Sequence, residues 1–440
     1  MNIMFITPPN LLVVLATYLG LTLGSPIDIG FTIPTPRSKI QEIGHYTEGI
    51  IGRIEKRIEK FEEFSVKEKM KEEKEALSEL EEKVDQVFVL SGVEKETPSH
   101  KPKNAIFGKE EIFLYPVVMV KNGKEVEYYS SAPEIKIKGK NIRTNPNKET
   151  RAKLEHVIMQ WSKVEPLIDS HFPYENSDPD TRKWLGIDKI NYASSQVEKT
   201  KGLQRILADA KPTKQNHNFE LGTMRFSLEL RINDKSWNTP NHNNVKRGGI
   251  KSDVLRICYL LDETFLGWTT SYFNVPGIYG SASLNHSHSQ RSHQTELYLG
   301  FDCADLIVGA ARHLNRKYKY TNADGLRQQT EYSDEYLLHQ NGEITDLEGN
   351  TAQLKYDQDV QQGDLVFFAD QNSNRYWHVV VLLEDVNDLS ATQRKEKEDA
   401  ERIFNGHDPI LHYDNLGLGL SKLTSVSYQT QKIVFGRIKH

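Results

Sequence analysis

Hydrophobic residues recur at helical spacing through the first fifth of the chain. From Ile43 onwards apolar residues lie three or four positions apart, and several of them repeat by seven. Glutamate and lysine fill most of the positions between them. The pattern predicts a long helical or coiled-coil segment over 37–90, either as one helix or as two antiparallel helices broken near Ser65. We expect it to be a spacer or a self-association element, or else a solvated helix packed on its own domain.

The pattern changes to β-type spacing after this segment. Two apolar runs, Ile112–Val120 and Val126–Tyr129, flank an Asn-Gly dipeptide at Asn122. An Asn-Gly between such runs predicts a β-hairpin. Glu134–Lys138 alternates and predicts a third strand. A small β module is therefore expected over 104–145, which either binds cell-wall polymer or a partner, or is purely structural.

The sequence pattern over 150–245 predicts a mixture of helices and strands. It indicates no function for this region. Helices are expected over Thr150–Leu167 and Val197–Ala208, and a strand over Phe226–Ile232. A further helix is predicted over Ile250–Leu261, at the start of the last domain. Cys258 lies on its apolar side and is interpreted as a core residue.

A cysteine opens the clearest helical pattern in the chain. Asp302 is a plausible N-cap, and apolar residues recur at helical spacing from Cys303 to Tyr318. The unpaired N–H groups and the positive dipole end of a helix favour a thiolate over a thiol. Cys303 is therefore a candidate nucleophile; the alternative is a small buried hydrophobic residue.

Strands carrying histidines follow this helix. They are predicted over Gly363–Phe368, His378–Leu383, Pro409–Tyr413 and Ile433–Ile438, with Gly417 and Gly419 in a turn. One helix followed by several antiparallel strands predicts an α+β fold. An imidazole is a suitable base for a thiol, and a second polar residue must hold its ring. His378 and His412 fit these two roles, unless both are simply structural.

Composition narrows the possible functions. The chain has 440 residues, a net charge of −5 and two cysteines, Cys258 and Cys303. No basic face dominates, which argues against a general nucleic-acid binder. Two cysteines make neither a disulfide framework nor a zinc-thiolate cluster, so both are expected to be free thiols.

The N-terminus carries one candidate targeting signal. Leu11–Leu23 is apolar, and Gly24 and Ser25 follow it as small residues. This predicts a signal peptide or membrane anchor over 1–25 and export to the periplasm, cell envelope or extracellular space. A buried helix of a cytoplasmic protein is the remaining interpretation.

Five blocks in the last domain, residues 250–440, together resemble the NlpC family of papain-like cell-wall cysteine peptidases. The blocks are Pro276–Ser281, Gly300–Cys303, Gly363–Phe368, His378–Val381 and Ile410–His412. The resemblance implies a nucleophile helix packed on an antiparallel sheet. It covers none of the N-terminal half.

The resemblance also implies a catalytic set. Cys303 is expected to be the nucleophile, His378 the general base and His412 the orienting third member, with Asp414 or His407 next in line. Tyr279 and Asp302 are expected at the substrate site. The implied reaction is hydrolysis of a peptide or amide bond in peptidoglycan stem peptides through a thioester, without a metal or cofactor.

The chain departs from the family where Ala304 and Asp305 replace the usual Ser-Gly. The charge of Asp305 opposes thiolate formation nearby. Two alternative functions follow: a non-catalytic wall-binding or scaffold protein with a degenerate peptidase fold, or a secreted papain-like toxin acting on another amide. The histidine-rich loop His286–His293 is interpreted as a polar loop beside the substrate cleft rather than a metal site.

Overall fold

The fold was analysed in a computed structural model that describes residues 37–439. The segments 168–173, 176–189, 214–216, 247–248, 281–292, 385–401, 415–416 and 427–428 are excepted. Strands hold 42% and helices 18% of the chain, which confirms the α+β class. The chain divides into two units between Glu72 and Glu73. The predicted targeting segment 1–25 lies outside the described residues. None of the described helices is both long and apolar enough to cross a membrane.

The N-terminal helical pattern forms one continuous helix, α1 (Arg37–Lys83), without a break at Ser65. It ends before residue 90, because Val84–Val93 forms strand β1. The valines at the end of the heptad pattern also satisfy the alternation of a strand, and Val87 and Val89 are buried there. The predicted helical range 37–90 is therefore too long at its C-terminal end.

The predicted hairpin is confirmed, but it does not belong to a separate module. The next strands are β2 (Lys103–Ile106), β3 (Ile112–Asn122), β4 (Glu125–Tyr129), β5 (Glu134–Ile137) and β6 (Lys140–Arg143). Strands β3 and β4 pair around Gly123, whose φ of +64° suits glycine. Strand β5 pairs with β6 rather than with the hairpin. Because β3 also pairs with β1 and with a strand from residues 206–207, the module limits 104–145 do not bound a domain.

The middle region is mostly β. The helices predicted over Val197–Ala208 and Ile250–Leu261 are wrong, and the one predicted over Thr150–Leu167 is helical only as far as Leu154. The region contains one short helix, α2 (Lys148–Leu154), and the strands β7 (Ile158–Pro166), β8 (Tyr174–Glu175), β9 (Tyr192–Lys201), β10 (Ile206–Leu207), β11 (Gly222–Ile232), β12 (Lys235–Asn238), β13 (Val245–Lys246), β14 (Gly249–Ile250) and β15 (Leu255–Leu260). Only the strand at 226–232 was expected. Trp161, for example, is buried in strand β7, where neighbouring strands decide its conformation rather than local spacing.

The predicted boundary at residue 250 cuts through a sheet. Strand β15 lies between β2 and β11 in the order β2-β15-β11-β7-β9. Cys258 pairs with Thr223 of β11 in this sheet and is fully buried, which agrees with its interpretation as a core residue. The first strand of the proposed last domain is thus held by residues on its N-terminal side.

The C-terminal part packs short helices on a seven-stranded antiparallel sheet. Its elements are α3 (Phe265–Thr270), β16 (Ile278–Tyr279), α4 (Cys303–His313), α5 (Ala323–Arg327), β17 (Glu331–Leu338), β18 (Ile344–Thr345), β19 (Leu365–Asp370), β20 (Tyr376–Leu382), β21 (Pro409–Asp414), β22 (Gly417–Lys422) and β23 (Gln431–Arg437). The strand order is β18-β17-β23-β19-β20-β21-β22. The four predicted strands are present, whereas Gly417 and Gly419 belong to β22 rather than to a turn.

The two faces of this sheet carry different cores. Helix α4 packs on the face that presents Phe367, Val379 and Val381. The opposite face presents Phe368 and Val380 to a second core. Which face a strand residue occupies therefore decides whether it can meet Cys303.

Candidate active site at the start of helix α4

Asp302 caps helix α4, as predicted. Its Oδ1 accepts hydrogen bonds from the backbone N–H groups of Ala304 at 3.0 Å and Asp305 at 2.8 Å. Its Oδ2 accepts the N–H of Gly280 at 3.2 Å. The cap satisfies two of the orphan donors of the helix and places Cys303 at its first position.

The helix is fixed by burial along most of its length. Its residues from Cys303 to Ala311 are all buried, as their apolar periodicity predicts. Gly309 has a specific packing reason, because a Cβ there would collide with the Tyr272 hydroxyl and the Thr295 methyl group. The N-terminus of α4 is thus a rigid support for the thiol.

Tyr279 lies on a segment that runs beside this N-terminus. The N–H of Ile278 donates to the carbonyl of Phe301 at 2.8 Å, and the N–H of Phe301 donates to Pro276 at 3.3 Å. Gly300 leaves no space for a side chain here, since a Cβ would overlap the side chain of Ile278. Tyr279 itself is 58% exposed, so its ring lies at the surface.

The environment of Cys303 favours the thiol, contrary to the expectation of a thiolate. Burial raises its pKa above the ordinary value, and the carboxylates of Asp302 and Asp305 raise it further. The N–H groups of Val379 and Ala304 point at the sulfur and lower the pKa, but the burial effect is larger. The helix start therefore supplies the expected donors without ionising the thiol.

Asp302 is itself perturbed by its position. Burial raises the pKa of its carboxyl to about 6, although the three N–H groups that it accepts oppose the shift. The Asp302 carboxyl therefore gains its negative charge, beside the thiol, as the pH rises through about 6. In the structure this carboxylate caps α4 and adds a charge beside the thiol.

His378 and His412 lie on adjacent strands and contact each other. Their ring centroids are 5.8 Å apart with the planes at 89°, because His412 pairs with Val380 across β20 and β21. Burial lowers the pKa of His378 to about 3, and the neighbouring His412 contributes to the shift. Burial also lowers the pKa of His412. Both imidazoles are therefore neutral near pH 7.

The predicted hydrogen-bonded triad is not formed. His378 is opposite Phe368 in the ladder and shares its face, whereas Cys303 packs with the Val379 face. Among the described residues neither imidazole hydrogen-bonds to the thiol, and the Nε2 of His378 is buried without a partner. The sulfur instead meets strand β20 at the N–H of Val379, one residue after His378.

The orientation of His412 also differs from the prediction. Its Nε2 lies 3.1 Å from the Oγ of Ser421 on β22, and its Nδ1 is buried without a partner. It contacts the edge of the His378 ring and does not hydrogen-bond to it. Of the two reserve candidates, Asp414 raises the pKa of His412 through its charge. His407 packs against Gly342, and among the described residues it forms no ring contact with another histidine.

Sequence reasoning missed Ser421 and Gln294. The amide of Gln294 donates to the carbonyl of Gly280 at 3.2 Å and to Asp305 at 3.3 Å, so it links the Tyr279 segment to the helix. Ser421 depends on the register of the β21–β22 hairpin, which the sequence marks only by the glycines at 417 and 419. Neither residue can be recognised as a functional candidate from the sequence alone.

The histidine-rich loop is outside the described residues except for His293. That ring stacks on Tyr320 with centroids 3.5 Å apart, and burial, followed by the charge of Arg312, lowers its pKa to about 3. Within the described part of the chain, no cluster of histidine, cysteine or carboxylate side chains has the makings of a metal site.

The chain was compared with protein-family models, with curated proteins and with solved structures, and none of the three comparisons gave a match.

Proposed function

We propose that this protein is a cysteine-type hydrolase with Cys303 as nucleophile and His378 as general base. One observation carries the proposal: the Cys303 sulfur sits at a helix N-terminus and faces the N–H of Val379, the residue next to His378. The packing of α4 on β20 thereby places the residue next to the proposed base against the nucleophile. The Nε2 of His378 is buried and has no hydrogen-bond partner among the described residues.

The raised pKa of the Cys303 thiol and the lowered pKa of the His378 imidazole leave both groups uncharged before substrate binds. In the proposed first step the Cys303 sulfur attacks the carbonyl carbon of the scissile amide as His378 removes the thiol proton. His378 then gives that proton to the leaving amine, and a thioester remains on the sulfur. Water, deprotonated by the same imidazole, attacks the thioester and releases the acid and the thiol. In the structure the His378 side chain lies on the opposite face of β20 from the sulfur, so the proposed step requires β20 to change its conformation at His378 when substrate binds.

The substrate proposed is the stem peptide of peptidoglycan, and the protein is proposed to be exported. Both statements rest on the resemblance of the five blocks and on the apolar N-terminal segment. Tyr279 is compatible with them, since its exposed aromatic ring, on the segment that pairs with Phe301, offers a surface to a bound peptide.

Digestion of purified peptidoglycan followed by mass spectrometry of the products tests this function. Wild-type protein is expected to release fragments cut within the stem peptide, and Cys303→Ala to release none. Cys258→Ser is the matched control, because it removes the other thiol, which is buried in β15 and donates a long hydrogen bond of 3.9 Å to the carbonyl of Ser271. Equal digests from wild type and Cys303→Ala, or no products from either, would reject the proposal.

A wall-binding protein without catalysis is the second candidate, and the charges near the thiol favour it. Asp302 and Asp305 both oppose ionisation of Cys303, and Asp305 stands where a glycine is usual in the family it resembles. This candidate predicts co-sedimentation with peptidoglycan, no released fragments, and the same binding by Cys303→Ala as by wild type.

A further inference from the structure

A large cleft opens in the N-terminal half of the second unit. Its volume is about 740 Å³, and it lies between β1, residues 99–102, the β5–β6 turn and the end of β12. Consecutive residues of β1, from Asp85 to Leu90, form one wall. Phe88, Ile137 and Trp237 contribute apolar surface. None of these residues takes part in the site around Cys303.

The wall formed by β1 is an open strand edge. Val89 pairs with Pro116 of β3, and proline has no N–H to exchange, so the main-chain groups of Val89 point away from β3. Two residues further on, Ser91 exchanges two main-chain hydrogen bonds of 2.9 Å with Ser99, so its main-chain groups also point away from β3. Because main-chain groups alternate in direction along a strand, the N–H and C=O groups of Val87 point the same way as those of Val89. The main-chain groups of Val87 and Val89 therefore face the cleft.

These outward groups are almost without partners. The Nδ1 of His100 lies 3.3 Å from the carbonyl of Val89. No other hydrogen bond on this side reaches Val87 or Val89 from residues that the structure describes. The side chains of Val87 and Val89 are buried in the core, so what the cleft offers here is the strand edge. Strand β1 is at the edge of its sheet and pairs only with β3 among the described strands, so a further strand can be added there.

The rim of the cleft is positively charged. Lys101, Lys136 and Lys138 line it, and none of them forms an ion pair with a described residue. Of the two carboxylates in the lining, Asp85 is already paired with Lys121 at 2.6 Å. The other carboxylate is that of Asp253, which is exposed. The excess of unpaired lysines selects an anionic occupant.

We propose that this cleft binds an extended, acidic segment of a partner protein, which adds a strand to the open edge of β1. Main-chain groups of the segment pair with Val87 and Val89, whose spacing of two residues matches an extended peptide. Acidic side chains of the segment meet the three lysines, and an apolar side chain packs on Trp237. This site is independent of the proposed hydrolase activity.

Selection of a random-peptide phage library on the full-length protein tests the proposal. The enriched peptides are expected to alternate acidic and apolar residues and to slow hydrogen exchange at the Val87 and Val89 amides. Lys136→Glu is expected to weaken their binding about tenfold in fluorescence anisotropy. Replacing alternate peptide amides by N-methyl amides is expected to abolish it, because the strand hydrogen bonds are lost.

Lys124→Glu is the matched control, since Lys124 lies exposed in the β3–β4 turn outside the cleft. It makes the same charge change and is expected to leave binding unchanged. The proposal is overturned if selection yields no acidic peptide, or if the selected peptides bind Lys136→Glu as tightly as wild type. Unchanged exchange at Val87 and Val89 in the complex would overturn it as well.

Discussion

Cys303 combines a favourable position with an unfavourable charge environment. Helix α4 and strand β20 direct N–H groups at its sulfur, whereas Asp302 and Asp305 add negative charge beside it. The sequence correctly predicted the Asp302 cap and the opposing charge of Asp305. It did not reveal that burial would outweigh the helix N-terminus, because burial depends on what packs over the first turn.

Asp302→Asn is expected to make Cys303 more reactive. Asparagine keeps the helix cap but removes a charge that raises the pKa of the thiol. Since the pKa of Asp302 is about 6, the two proteins should differ above pH 6 and converge below it, where the carboxyl is protonated. Alkylation by iodoacetamide in a Cys258→Ser background, followed by mass spectrometry, should show roughly a three- to tenfold faster reaction at pH 8.

The control for this experiment is Asp324→Asn. Asp324 is also an acidic residue in the first turn of a helix, α5, but it does not affect the pKa of Cys303. Equal alkylation rates in Asp302→Asn and wild type above pH 6 would contradict the assigned electrostatics.

Helix α4 and strands β19, β20 and β21 were predictable as elements, but their mutual geometry was not. Each has a strong local pattern, such as the alternation that follows Gly363. The order Cys303, His378, His412 suggested a hydrogen-bonded triad. Strand register instead places His378 opposite Phe368, on the face away from the helix core, and no local pattern shows a register.

Gly309→Ala is expected to destabilise the fold although alanine is the better helix former. The added methyl group collides with Tyr272 and Thr295, which should cost about 1–3 kcal/mol, more than the roughly 1 kcal/mol gained in helix propensity. Urea unfolding monitored by tryptophan fluorescence measures the change. Gly52→Ala in α1 is the control, since nothing lies within 4 Å of its new methyl group. A Gly309→Ala protein as stable as wild type would show that α4 is not tightly packed.

At the scale of the whole molecule, the second unit is held together by strands that come from distant parts of the sequence. The pairing of β2 with β15, and of β15 with β11, joins residues 103–106 to residues 255–260 and 222–226. Such long-range pairing explains why local spacing suggested helices in the middle region and a domain boundary at 250. The hairpin at Gly123 was predictable because its signal lies within a few residues.

A fragment of residues 250–440 is accordingly expected to fold poorly. It would leave strand β15 without β2 and β11 and expose Leu255 and Ile257, both buried in the full chain. Size-exclusion chromatography and thermal melting should show aggregation, whereas a fragment of residues 73–440 should melt cooperatively. A soluble, cooperatively melting 250–440 fragment would restore the boundary that the sequence suggested.

The central claim, that Cys303 is the nucleophile of a hydrolase, is tested most directly by trapping its acyl intermediate. Wild-type protein is mixed with soluble stem-peptide fragments, quenched in acid, digested and examined by mass spectrometry. The claim predicts an acyl mass on the peptide that contains Cys303, removable by hydroxylamine and absent from Cys258. An adduct on another residue, or product formation with no adduct on Cys303 at any quench time and undiminished activity in Cys303→Ala, would contradict it.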